Sequence, residues 1–195
     1  MAVEDGVTAA AHSPRPTVVL VHGWDDDPAG GWLSWLEIKL TQQDYTVVAP
    51  HFKTQPKLNL VRWMEQLHTA TVGLPTDSII VAHSLGCWLS LRLLESWSPQ
   101  HLIRGLVCVS GFADAPNDRA TSYFQPTPDW PHIKSVVERR VCIYSDNDRI
   151  VTPDRSRRLA HQLDAELICL PGQGHFLGSR GMDTFPELLE LIESF

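Results

Sequence analysis

From Thr17 onward, apolar residues fall into short solid runs that alternate with longer stretches patterned on one face. The run Thr17–Val21 has no polar alternation, as expected of a parallel strand covered on both sides. The spacing of Trp32, Leu33, Trp35, Leu36, Ile38 and Leu40 then predicts an amphipathic helix. A second strand is expected over residues 45–49, closed by Pro50, and a second helix over residues 60–72, with Leu60, Trp63, Met64, Leu67 and Ala70 on one face. The alternation continues with a strand over 78–81, a helix over 85–97, and strands over 103–109 and 140–144. A helix over 153–163 follows, with Pro153 suited to its first turn, then a strand over 166–170 and a last helix over 184–192. Strands separated by helices at this spacing make βαβ units, so the expected fold is α/β: six strands in a mostly parallel sheet with helices on both faces.

Two stretches break the pattern. Residues 1–16 are small and polar and end in Ser-Pro-Arg-Pro, which reads as a flexible tail before a single domain spanning 17–195. The connection from 112 to 133 is rich in Pro and Asp and carries Tyr123, Phe124 and Trp130. A long connection at the C-terminal edge of a parallel sheet tends to carry function, so it is expected to form a short lid or pocket wall.

Composition narrows the function classes. A net charge of −7 opposes binding to nucleic acid or to anionic membrane surfaces. The acidic start Met1-Ala2-Val3-Glu4-Asp5-Gly6 lacks the features of a signal peptide, and no apolar run approaches the roughly 20 residues of a membrane span. Cys87, Cys108, Cys142 and Cys169 are scattered singly, three of them in apolar strand-like runs, which suits buried free thiols in a reducing cytoplasm. Neither a phosphate-binding loop nor a dinucleotide fingerprint is present, and no His, Cys or carboxylate cluster has metal-ligand spacing. No cofactor and no metal are therefore expected. Asp146-Asn147-Asp148 resembles part of a calcium loop but lacks its glycine and distal glutamate.

The chemistry is carried by Ala82-His83-Ser84-Leu85-Gly86, a small-x-Ser-x-Gly string between an apolar strand and a helix. That is the arrangement of a nucleophile elbow, in which a sharp turn holds a serine above a helix N-terminus. A serine hydroxyl needs a base to take its proton and an acid to orient that base. In α/β-hydrolases acid and histidine follow the serine in that order, on loops at strand C-termini. The fifth predicted strand ends in Ser145-Asp146-Asn147-Asp148 and the sixth in Gly172-Gln173-Gly174-His175-Phe176. His175 is the candidate base. Asp148 is the candidate acid, with Asp114 after the fourth strand as the other position, and Asp146 expected to bond within its own turn. The oxyanion hole is expected from the backbone N–H groups of Leu85 and Trp24. Candidate substrate-binding residues are His22 and Gly23 after the first strand, with Phe112, Tyr123, Phe124 and Trp130. For His22 a loop-fixing role is expected rather than catalysis. His83 is expected to pack or bond within the elbow.

These landmarks, together with His22-Gly23, Trp32-Leu33-Ser34-Trp35-Leu36 and Val109-Ser110-Gly111-Phe112-Ala113, run from about Thr17 to the C-terminus. The chain resembles the small serine hydrolases of the α/β-hydrolase fold, the branch that includes retinoblastoma-binding protein nine and the bacterial YdeN-type proteins. The resemblance implies a triad of Ser84, Asp148 and His175, strand order 2-1-3-4-5-6 and no large cap domain. The expected activity is cleavage of small carboxylic esters, thioesters or activated amides through an acyl-enzyme. The other function class is a hydrolase-fold protein that binds a partner and retains weak or vestigial esterase activity. A haloalkane dehalogenase would need aspartate at position 84.

Overall fold

Strand β1 (Thr17–Val21) lies second in the sheet, between β2 (Thr46–Val48) and β3 (Ile79–His83). The computed structural model describes residues 15–24, 30–53, 58–115 and 124–195. Beyond β3 follow β4 (Ile103–Val109), β5 (Val137–Tyr144) and β6 (Glu166–Cys169), giving the order β2-β1-β3-β4-β5-β6. Every neighbouring pair is parallel.

The solid apolar runs follow from a core on each face of the sheet. Val19, Val21, Ile80 and Ala82 pack with α2 (Leu60–Ala70), α3 (Leu85–Glu95) and α5 (Pro153–Leu163). Val18, Leu20, Ile79 and Val81 face the opposite way, onto α1 (Gly31–Gln42) and the last helix, Pro186–Glu193. Successive strand side chains point to opposite faces, so a strand buried on both sides cannot alternate. Helix α3 is buried nearly all round because it fills the centre of one layer.

The structure differs from the sequence expectations most at the start of β5, in the long connection and at one cysteine. Strand β5 starts at Val137 rather than 140, because Arg139 and Arg140 occupy a strand end where their charges find partners. Arg139 pairs with Glu166 at 3.1 Å, and Arg140 Nε donates to the Leu163 carbonyl at 2.7 Å. The long connection contains a short helix, α4 (Trp130–Ser135), started by Asp129, whose side chain accepts from the His132 N–H. The final helix is accordingly α6 (Pro186–Glu193). Residues 1–14 of the expected tail lie outside the described residues, but Arg15 is tied down, its guanidinium donating to Tyr45 Oη at 3.1 Å. Of the cysteines, Cys87, Cys108 and Cys142 are buried free thiols, whereas Cys169 on the edge strand is exposed.

Gly86 shows how tightly the elbow is built into this frame. A Cβ there would lie 2.3 Å from the Val21 carbonyl oxygen and 2.7 Å from that of His22. Both are backbone atoms of the β1 end, so neither can swing aside. Gly86→Ala is expected to destabilise the fold by about 3 kcal/mol, the upper part of the overpacking range, read as a lowered urea midpoint at unchanged slope.

Candidate active site

Strand β3 ends at His83 and α3 starts at Leu85, which leaves Ser84 alone to make the turn. It does so at φ 51° and ψ −118°, a conformation costing about 1–3 kcal/mol that the surroundings must enforce. They do so from both sides. The Ser84 N–H donates to the Val109 carbonyl at 2.9 Å, and the Ser84 carbonyl accepts from the Cys87 N–H at 3.0 Å. The Leu85 N–H is among the first donors of α3, which helix geometry leaves without an intrahelical acceptor.

The β5–α5 and β6–α6 loops bring Asp148 and His175 to this turn. Ser84 Oγ lies 3.0 Å from His175 Nε2, and His175 Nδ1 lies 2.7 Å from Asp148 Oδ2. An ionised carboxylate only accepts, so Nδ1 carries the proton and Nε2 is left to accept from the serine. All three residues are buried, at 8%, 7% and 4% exposure for Ser84, His175 and Asp148. Burial by itself would raise the Asp148 pKa. The hydrogen bond and charge of His175 outweigh it, aided by the Ile150 N–H and the Ser110 hydroxyl, and hold the carboxyl below its ordinary range. Asp148 Oδ1 accepts from the N–H groups of Ile150 and Val151 at 2.8 and 3.0 Å, and Oδ2 accepts from Ser110 Oγ at 2.8 Å.

Ser110 had no role in the sequence reading. It follows β4 with φ 46°, one strand over from the acid, and that position beside Asp148 was its available signal. Asp114, the other candidate acid, does not reach His175. It takes ion pairs from Arg155 at 2.9 Å and Arg158 at 2.8 Å. Asp146 does not bond within its own turn; its Oδ1 accepts from the Gly172 N–H at 2.9 Å, across in the histidine loop.

His22, a candidate substrate contact, is not among the described residues that line the Ser84 cavity. It is 1% exposed and fixes its own loop, with Nδ1 against the Gly23 carbonyl at 2.7 Å and Nε2 accepting from the Phe52 N–H at 2.8 Å. Phe52 and Trp63 rings pack beside it, with centroids 4.8 and 5.5 Å away. His83 bonds outside the elbow: its Nε2 meets the His175 carbonyl oxygen at 2.9 Å.

Ser84 and His175 open onto a cavity of about 570 Å³ whose wall includes Trp24, Leu85, Phe112, Ile150, Val151 and Leu177. The two expected oxyanion donors, Trp24 and Leu85, thus reach the same space as Ser84. Trp24 and Ile150 are 57% and 53% exposed, which puts apolar side chains in contact with solvent at this cavity. Phe112 lines it, whereas Phe124 and Trp130 line a separate cavity of about 210 Å³. Phe124 packs against Trp88 and Phe112, with centroids 4.9 and 5.6 Å away, because α4 folds back on α3. Gly23 is likewise not part of the cavity wall formed by the described residues. Tyr123 lies outside the described residues. Arg155, not anticipated, lines both cavities, with its guanidinium 4.3 Å from the Phe112 ring centroid.

A family described as serine hydrolase matches residues 18–194. YdeN of Bacillus subtilis (strain 168) is 29% identical over 180 residues, covering 91% of this chain and 95% of that protein. The serine hydrolase RBBP9 of Rattus norvegicus is 25% identical over 187 residues, covering 93% and 96% respectively. The crystal structure of the B. subtilis ydeN gene product superposes with a TM-score of 0.85 at 28% identity, covering 92% of this chain and 97% of that one.

Proposed function

The chain belongs to the serine hydrolase family, and we propose that it cleaves small carboxylic esters, thioesters or activated amides through Ser84, His175 and Asp148. The observation that carries this reading is the continuous line of contacts from Ser84 Oγ to His175 Nε2 at 3.0 Å and from Nδ1 to Asp148 at 2.7 Å. As the Ser84 oxygen attacks a carbonyl, its proton passes to Nε2, and Asp148 stabilises the imidazolium that forms. The carbonyl oxygen turns into an alkoxide held by the Leu85 and Trp24 N–H groups, with the α3 dipole behind the first of them. Collapse transfers the Nε2 proton to the leaving group and leaves the acyl group on Ser84. A water molecule, deprotonated by His175, then frees the acid and restores the serine.

The largely apolar cavity wall fits an uncharged acyl or alcohol group, with Arg155, paired to Asp114, as its charged member. Among the described residues no helix is long and apolar enough to cross a membrane. Buried free thiols at Cys87, Cys108 and Cys142 suit a cytoplasmic setting. A fluorophosphonate probe, which reacts with an activated serine, tests the reading. The parent protein is expected to label in a single position, and folded Ser84→Ala not at all. Equal labelling of the two would sink the assignment.

A further inference from the structure

The loop that carries His175 owes little of its placement to regular structure. It runs from the end of β6 through Gly174 at φ 58° and Phe176 at φ 54°, yet its histidine must meet two partners within about half an ångström. The contacts that hold it come from side chains of three other segments. On one side, His83 Nε2 meets the His175 carbonyl at 2.9 Å and Trp32 Nε1 donates to the Phe176 carbonyl at 2.8 Å. On the other, the residues just before Asp148 take successive backbone N–H groups of the loop. Asp146 Oδ1 accepts from Gly172 at 2.9 Å, Ser145 Oγ from Gln173 at 2.9 Å, and Asn147 Oδ1 from Gly174 at 2.7 Å. Ser145 Oγ also donates to Asn147 Oδ1 at 2.8 Å, so the two side chains form one unit.

We infer that Ser145 and Asn147 are positioning residues for His175, locking the histidine loop onto the loop that carries Asp148; the inference rests on the triad reading above. The arrangement makes the acid and base loops a single body, so the Asp148–His175 distance cannot drift when substrate enters. Asn147 bonds the residue directly before the histidine, and its amide oxygen does so without placing a third carboxylate between Asp146 and Asp148. The side chain is exposed, so its loss leaves no cavity in either core.

The test compares parent, Asn147→Leu, Asn147→Asp and Ser145→Ala with a p-nitrophenyl ester, alongside Ser84→Ala and thermal melting. Asn147→Leu is expected to lower kcat by about 10²-fold, the cost of a displacement near 1 Å, with KM within about twofold. Its acid limb in the kcat/KM profile is expected to move to lower pH, because an imidazole held less closely by a carboxylate takes up a proton less readily. Asn147→Asp, which keeps an acceptor for both donors but adds a third carboxylate, is expected to fall between the parent and Asn147→Leu. A merely structural role would lower the melting temperature and leave the pH limb in place. If Asn147→Leu does not fold, Ser145→Ala carries the comparison with an expected loss of about tenfold, since it removes the hydroxyl that links Asn147 to Gln173. The inference is overturned if the folded variants keep kcat within twofold of the parent while Ser84→Ala is inactive. Turnover by Ser84→Ala would overturn the triad reading instead.

Discussion

Replacing His175 with alanine is expected to lower kcat by about 10⁶-fold, and removing Ser84 as well is expected to lower it no further. The reason lies in how the two side chains share one proton. Ser84 Oγ touches His175 Nε2 at 3.0 Å, so the histidine is the group placed to take the serine proton. Without it the hydroxyl is a weak nucleophile, whatever the elbow does to orient it. Once either partner is gone the other has nothing to act on, and the single and double variants converge on the same residual rate. That residue of activity is itself informative, because the Leu85 and Trp24 N–H groups and the cavity remain in place. KM is expected to stay within a few-fold, since the apolar wall of Phe112, Val151 and Leu177 does not depend on the imidazole. The measurement is steady-state hydrolysis of a p-nitrophenyl ester by Ser84→Ala, His175→Ala and the double variant. A double variant slower than both singles by a further large factor would mean that the two residues act separately.

Much of this site is written in local sequence. Buried strands show as solid apolar runs such as Thr17–Val21, and the Ser84 elbow is a turn whose demands fall on residues next to it, above all Gly86. Asp148 and His175 can be found because strand ends in a parallel sheet line up along one edge. What escaped the sequence depends on contacts between distant segments. The charges of Glu138, Arg139 and Arg140 hid the first residues of β5, since nothing local shows that Glu166 and the Leu163 carbonyl wait for the two arginines. Nothing local to His22 shows that Phe52, 30 residues away, is the residue that donates to it. The expectation that Phe124 and Trp130 line the pocket rests on their place in a long connection at the C-terminal edge of the sheet. The Asp129-Trp130-Pro131 start of α4, a cap followed by a first-turn proline, was the legible clue that this segment would fold back on α3. Ser110 and Asn147 are polar residues in loops, and only the neighbouring strand reveals what they hold.

Asp148→Asn is expected to cost about 10⁴-fold in kcat, with little change in the position of the loop. The carboxylate accepts four hydrogen bonds, from His175, Ser110, Ile150 and Val151. An amide can still accept at Oδ1 from the two backbone donors. At the other position it presents an N–H₂ toward Nδ1 and the Ser110 hydroxyl, which favours the imidazole tautomer with its proton on Nε2. That tautomer cannot accept the Ser84 proton. Asp114→Asn should leave kcat within about fivefold, because the ion pairs it weakens, to Arg155 and Arg158, are partly exposed and worth about 0–1 kcal/mol. The reverse ranking would move the acid from the β5 loop to the β4 loop. The same variant predicts a change in acid stability. Asp148 has a folded pKa below its unfolded value of about 3.9, so its contribution is present above that value and is lost as pH falls through the folded one. Asp148→Asn removes that loss. Its stability should therefore fall less steeply than the parent's as pH drops below about 4, with Asp114 and Asp164, also held below their ordinary values, contributing to the slope that remains. Urea midpoints measured across that window on both proteins decide it: parallel slopes would mean that Asp148 is not held ionised by the contacts around His175.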